Sequence, residues 1–159
     1  MPKKLTEEEK IIKSKISTKK LTDNFQVSIE KAGEWIIVSP IYLPMQRKTK
    51  PDKKAALNLN AYRNRNFIVN NNLKKDYKEW MKSQLEWKVF QTPIEIVYTL
   101  YRSHKPDLMN VTSIVDKFFC DTLQEYWCIP DDNVDHIAHF YPSNGWRDKD
   151  FPRMEIKIL

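Results

Sequence analysis

The sequence predicts an α+β domain, a small mixed β-sheet with two main helices packed on one face. Three observations predict it. Runs such as "FQVSIEK", "EWIIVSPIYLP" and "TPIEIVYTLYR" repeat apolar residues at the two-residue period of a strand. "LKKDYKEWMKSQLEW" and the stretch after Asn110 repeat them at helical spacing instead. The order of these runs, β-β, loop, α, β, α, β-β, leaves the helices to cover one side of a sheet. A chain of 159 residues, 41% hydrophobic and 12% aromatic, is long and apolar enough for one core.

Residues 1–22 are rich in lysine and poor in large apolar groups, which marks a basic N-terminal arm ahead of a single domain over 23–159. Such an arm is a frayed helix, a mobile segment that grips nucleic acid, or a solvated tail. Strands are expected near 25–30 and 35–42, turning at Gly33. Pro40 and Pro44 end the second strand or place it at a sheet edge. Residues 45–72 show no clean period, and structureless runs of this length are functional or disordered. This one mixes Arg47, Lys48, Lys50, Lys53, Lys54, Arg63 and Arg65 with Tyr62, Phe67 and several asparagines. Cations for phosphates, amides for base edges and an aromatic ring for stacking suit a DNA-contacting loop. A solvated surface has the same charge.

The helix that follows puts Leu73, Tyr77, Trp80, Met81 and Gln84 or Leu85 on one face, a core stripe. "TPIEIVYTLYR" reads as a strand buried on both sides or nearly so. A second helix is expected from Val111 to Tyr126. "VDHIAHFYP", a turn at Ser143-Asn144-Gly145 and "RMEIKIL" then read as a closing hairpin.

With 27 Lys+Arg against 21 Asp+Glu, the net charge of +6 suits a polyanionic partner, nucleic acid first. No run of about 18 apolar residues is present to span a membrane. The N-terminus lacks the apolar stretch of a secretory signal. Cys120 and Cys128 are too few for a disulfide framework and read as small apolar residues. The expectation is a reduced, cytoplasmic protein with no membrane association.

Chemistry is concentrated between Asp107 and Asp132. On the second helix Val111, Ile114, Val115, Phe118 and Phe119 form an apolar face, while Asn110, Ser113, Lys117, Asp121 and Gln124 form a polar line with Glu125 at its edge. Asp107 precedes this helix, and Asp131-Asp132 follow it. Phosphodiester cleavage needs a hard cation to activate water and neutralise the phosphoryl group. Mg²⁺ takes a few carboxylates and keeps several waters, so Asp107, Asp131 and Asp132 are candidate ligands. Lys117 is the candidate for stabilising the transition state. Each acid also has a plainer role. "PDDN" is a good turn, and Asp107 suits a helix start.

"PDLMN…VDKFFCDTLQEYWCIPDDNVDHI" resembles the RusA family of phage-type Holliday-junction resolvases. The family pattern is Asp-x-Asp-Asn, then Lys-x-x-x-Asp-x-Leu on a helix, then Asp-Asp before a strand. Asp107 and Asn110 match the first element, Lys117, Asp121 and Leu123 the second, and Asp131-Asp132 the third. Upstream, "IIVSPIYLP", the Asn- and Arg-rich loop and "VNNNLKKDYKEWM" look like the family's first strand, substrate loop and first helix. The resemblance covers about residues 35 to 159. It implies a homodimeric endonuclease of phage recombination or replication, working in the host cytoplasm, that nicks branched DNA with Mg²⁺ (or Mn²⁺). Asp107, Asp132 and Lys117 would be catalytic, with Asp131 as neighbour. Two features depart from the pattern. Met109 stands where the second acid belongs, and the stretch from Asn110 to Lys117 is about one helical turn longer. Met109 favours the alternative of a catalytically silent relative that binds branched DNA or a protein partner.

Overall fold

A computed structural model describes residues 28–31, 34–45, 47–105 and 107–159, of which 28–31 and 34 as backbone. The basic arm, residues 25–27 of the first expected strand and the turn at Gly33 lie outside the described residues. The elements run β1 (Ser28–Lys31), β2 (Glu34–Ser39), β3 (Tyr42–Met45), β4 (Lys53–Ala56), α1 (Leu59–Asn64), α2 (Phe67–Leu85), β5 (Ile94–Arg102), α3 (Leu108–Glu125), β6 (Ile137–Arg147) and β7 (Arg153–Ile158). This is the expected α+β class. The main sheet has the order β1-β2-β7-β5-β6, and β3-β4 form a separate ribbon. Only β5 and β6 pair in parallel, so the sheet is mixed. A parallel pair needs a crossover between its strands, and α3 supplies it. No described helix is long and apolar enough to cross a membrane.

The core lies between one face of the sheet and the helices. Ile37, Ile94, Ile96, Tyr98, Leu100, Met154 and Ile156 meet Leu73, Tyr77, Met81 and Leu85 of α2 and Val111, Ile114, Val115, Phe118, Phe119 and Leu123 of α3. Gln84 is buried at 2% exposure because it works as a surrogate strand. Its Oε1 accepts from the Val38 N–H and its Nε2 donates to the Val38 carbonyl, both at 2.8 Å. The described part of β1 reaches only Ile37 of β2, so this amide satisfies the next pair of backbone groups. Helices α2 and α3 run in the same direction. Lys74 pairs with Asp121 and Lys78 with Glu125, and Cys128 Sγ donates to the Leu85 carbonyl at 3.3 Å.

Two expectations change. The expected closing hairpin does not form, because β7 lies between β2 and β5 while β6 lies at the sheet edge beside β5. The segment "RMEIKIL" looks amphipathic, but its polar residues satisfy one another. Arg153, fully buried, donates to Glu155 Oε1 at 2.8 Å and Asp148 Oδ2 at 3.0 Å. Its guanidinium lies 4.1 Å from the Tyr101 ring centroid and 4.6 Å from that of Phe151. Ser143-Asn144-Gly145 is therefore strand, not turn. Gly145 is needed for close approach, since a Cβ there would lie 2.6 Å from the Tyr101 ring. The second change is in the long irregular run, which folds as the β3–β4 ribbon, α1 and the first turn of α2.

β6 is exposed along most of its length, yet its free edge is interrupted. Glu95 exchanges backbone hydrogen bonds with Leu159, so odd-numbered residues of β5 face β7, whereas the Ile94 N–H points to His136 on the β6 side. Tyr98 stands opposite Pro142. In a parallel ladder Tyr98 then bonds the neighbours of Pro142, and the proline's own backbone faces outward. The outward donor at mid-strand is the one proline lacks.

Candidate functional site

Asp107 is the N-cap of α3. Its Oδ1 accepts from the Met109 N–H at 3.0 Å, the bond an N-cap carboxylate makes to an otherwise orphaned donor. Met109 follows in the first turn, 45% exposed. Asn110 Oδ1 accepts from the Asn60 N–H at 3.2 Å and so ties α1 to α3. Lys117 is exposed. After α3, Asp131 is consumed by its own turn. Its Oδ1 accepts from the Asp132 N–H and its Oδ2 from Asn133 Nδ2, both at 2.8 Å. Asp132 is exposed.

These acids are not neighbours within one chain. Helix α3 has 18 residues, a length of about 27 Å at 1.5 Å per residue. Asp107 sits at its start, just past the end of β5. Asp131-Asp132 sit between Cys128, whose carbonyl accepts from the Phe90 N–H, and His136, whose carbonyl accepts from the Ile94 N–H. That is the opposite end of β5. Lys117 lies between the two ends, about 15 Å along the helix from Asp107. Among the described residues, no group of three or more His, Cys, Asp or Glu side chains is placed to hold a metal.

The acid that the polar-line reading passed over is Asp116. Its Oδ1 accepts from the buried Tyr98 hydroxyl at 2.5 Å and from Cys120 Sγ at 3.5 Å. Burial first, then the Asp116 carboxylate and more weakly Asp132, push the Cys120 thiol well above its ordinary value. Asp132 thus lies within electrostatic range of Cys120. The signal was available, because Asp116 and Cys120 are four apart and share a helix face. Asp121 and Glu125, on the other side of α3, are engaged by Lys74 and Lys78 of α2.

The basic residues do gather. Arg47, Lys48, Lys50, Lys53 and Lys54 are all exposed on the β3–β4 ribbon and its tip. Arg47 Nε donates to the Pro51 carbonyl at 2.8 Å and braces that tip. Arg63 is exposed on α1. Arg65 is half-buried and donates to the Ala56 carbonyl at 2.5 Å, and burial lowers its pKa from the ordinary value. The ribbon therefore stands at the N-terminal end of α2, and the Asn60–Asn110 bond brings the start of α3 to the same end. The two aromatic residues of this stretch differ in exposure. The Tyr62 ring packs edge-on to Phe118 at 6.3 Å, whereas Phe67, 72% exposed, is the ring that faces out beside the cations.

The chain was compared with protein-family models, curated proteins and solved structures, and none of the three comparisons gives a match.

Proposed function

We propose that this protein binds branched DNA through the β3–β4 ribbon and nicks it as a homodimer that uses Mg²⁺ or Mn²⁺. The observation that carries the DNA reading is the set of five exposed cations on one ribbon, at the end where α2 and α3 both begin. Helix N-termini add positive potential and free N–H donors to those cations. Phe67 offers a face for an unpaired base. The nicking half rests on the RusA-like order of Asp107, Asn110, Lys117, Asp121 and Asp131-Asp132.

The residues of a single chain do not fit one ion. Asp107 stands before α3 and Asp132 after it, toward opposite ends of β5. A shared ion therefore requires two copies, with Asp107 of one facing Asp132 of its partner. Bound there, Mg²⁺ would supply Lewis acidity toward the phosphodiester and an activated water. Lys117, exposed between the two ends, would balance phosphoryl charge.

The test is nicking of a synthetic four-way junction by wild type, Asp107→Asn, Asp132→Asn and an equimolar mixture of the two variants. Each variant is expected to be inactive. The mixture is expected to recover roughly a quarter of wild-type sites, since half of the exchanged dimers carry one intact pair. Inactive wild type at every Mg²⁺ and Mn²⁺ concentration would end the enzymatic reading. The second reading, a silent binder of branched DNA or of a protein, is favoured by the exposed thioether of Met109, a poor ligand for Mg²⁺. Under it Met109→Asp creates nicking while junction affinity stays constant.

A further inference from the structure

The opposite end of the two helices carries a different surface. Trp87 and Trp127 each stand two residues past the last residue of a helix, α2 and α3 respectively. They are 90% and 78% exposed, and both have left-handed backbone, with φ 69° and 58°. Helix ends give that position to glycine or asparagine, and a bulky side chain there is strained. The two segments are held side by side by the Phe90 N–H to Cys128 carbonyl bond and by Cys128 Sγ on the Leu85 carbonyl. Val89 is exposed in the same stretch, so two indoles on left-handed backbone and an aliphatic side chain are presented to solvent at this end of the helix pair.

The rim of this face is acidic. Glu86 and Glu125 stand at the ends of the two helices and Asp131, Asp132 and Asp135 in the segment that follows α3, and two helix C-termini add the negative ends of their dipoles. Burial first, then Glu79 and Glu86, push the Tyr126 phenol up to about 12. Of the lysines at this end, Lys78 is paired with Glu125, Lys88 lies over the Trp35 ring at 5.2 Å, and Lys82 stands in the last turn of α2.

Charge selects the occupant. DNA is repelled here, and so is the same face of a second copy. The basic end of a second copy also carries exposed Phe67 and Ile68, but it must come from another molecule, whereas residues 1–22 are tethered to this one. Residues 1–22 have both properties, seven lysines against three glutamates together with Leu5, Ile11, Ile12, Ile16 and Leu21. They are also within reach. Ser28, the first residue of β1, pairs with Ile37, and the next residue, Val38, is bonded to Gln84 in the last turn of α2. The 27 residues ahead of β1 can extend up to about 90 Å.

We propose that the Trp87–Val89–Trp127 face is the docking surface of the chain's own basic segment 1–22, its apolar side chains on the indoles and its lysines on the surrounding carboxylates. DNA and this face then compete for one segment, so junction binding at the far end would release it.

The test uses full-length protein. Carbodiimide coupling followed by peptide mapping is expected to join lysines of 1–22 to Glu86, Asp131, Asp132 or Asp135, and saturating junction DNA is expected to abolish those links. A second chain with all seven lysines changed to glutamine is expected to shift the indole N–H resonances of Trp87 and Trp127 and to leave that of Trp80 in place. In Trp87→Ser/Trp127→Ser the links are expected to be lost. Links confined to Lys82 and Lys88, or indole resonances identical in the two chains, would overturn the proposal whether or not junctions are nicked.

Discussion

The two ends of the α2–α3 layer are built from the same pair of parallel helices and have opposite character. At the N-terminal end the helices offer free N–H groups, and the β3–β4 ribbon adds Arg47, Lys48, Lys50, Lys53 and Lys54. At the C-terminal end they offer the negative ends of their dipoles, acids and two strained tryptophans. Antiparallel helices would have mixed the dipoles at each end. Parallel ones sort them, and the exposed cations of the β3–β4 ribbon stand at the positive end. The dipoles of the two helices therefore add, and under the proposed function a polyanion would meet the molecule from the ribbon end.

The largest expected effect is at the basic end. Replacing Arg47, Lys48, Lys50, Lys53 and Lys54 together with glutamine should weaken junction binding about a hundredfold or more, and should flatten the slope of log K against log salt by about four. Filter binding across a salt series measures both, and an unchanged slope would remove the ribbon from the interface. Next is the joint that fixes the acidic end against the sheet. Gln84→Ala strands the buried N–H and carbonyl of Val38, a loss of about 3 kcal/mol, read by urea unfolding. A cost below about 1 kcal/mol would mean that water replaces the amide.

Smaller and of opposite sign is Trp87→Gly. Glycine relieves the left-handed strain, so the chain should gain about 1 kcal/mol in the same assay. A loss would show that the indole contributes to folding and is not held for a partner. The smallest effect is alkaline. Burial pushes the Cys128 thiol up to about 11 from an ordinary 9, and pushes the Tyr77 and Tyr98 phenols above their usual range. The folded state holds these protons more tightly than the unfolded chain. Their stabilisation is therefore full below about pH 9 and fades as pH climbs toward 11. Tm measured by calorimetry should fall between about pH 8 and pH 10.5, while DNA affinity at the basic end stays bounded by salt alone.

How much of this was legible depends on range. The apolar face of α3 and the buried stripe of α2, Gln84 included, follow from local periodicity, and both lie in the core. The fate of β6 and β7 does not. Arg153 and Glu155 look like solvent-facing positions, and only their mutual pairing under Tyr101 and Phe151 lets β7 sit centrally. Lys53 and Lys54, both exposed, hid a strand that shows no alternation. Residue types at the candidate site were legible, but their separation was missed for a reason that sequence does contain. A strand, a helix and a parallel strand put the loop before the helix and the loop after it at opposite ends. Once β5 and β6 are seen to flank α3, Asp107 and Asp132 have to part. The left-handed tryptophans had no local signal.

Pro142 bears on how two such molecules can meet. Its missing amide hydrogen faces away from the sheet, at the middle of the one long strand with a bare flank. A seam in which β6 of one copy zips to β6 of another would leave a carbonyl without a donor at its centre. Any twofold axis that brings Asp107 of one copy to Asp132 of its partner must therefore pass elsewhere, through side chains and helices and not through a sheet shared by both copies.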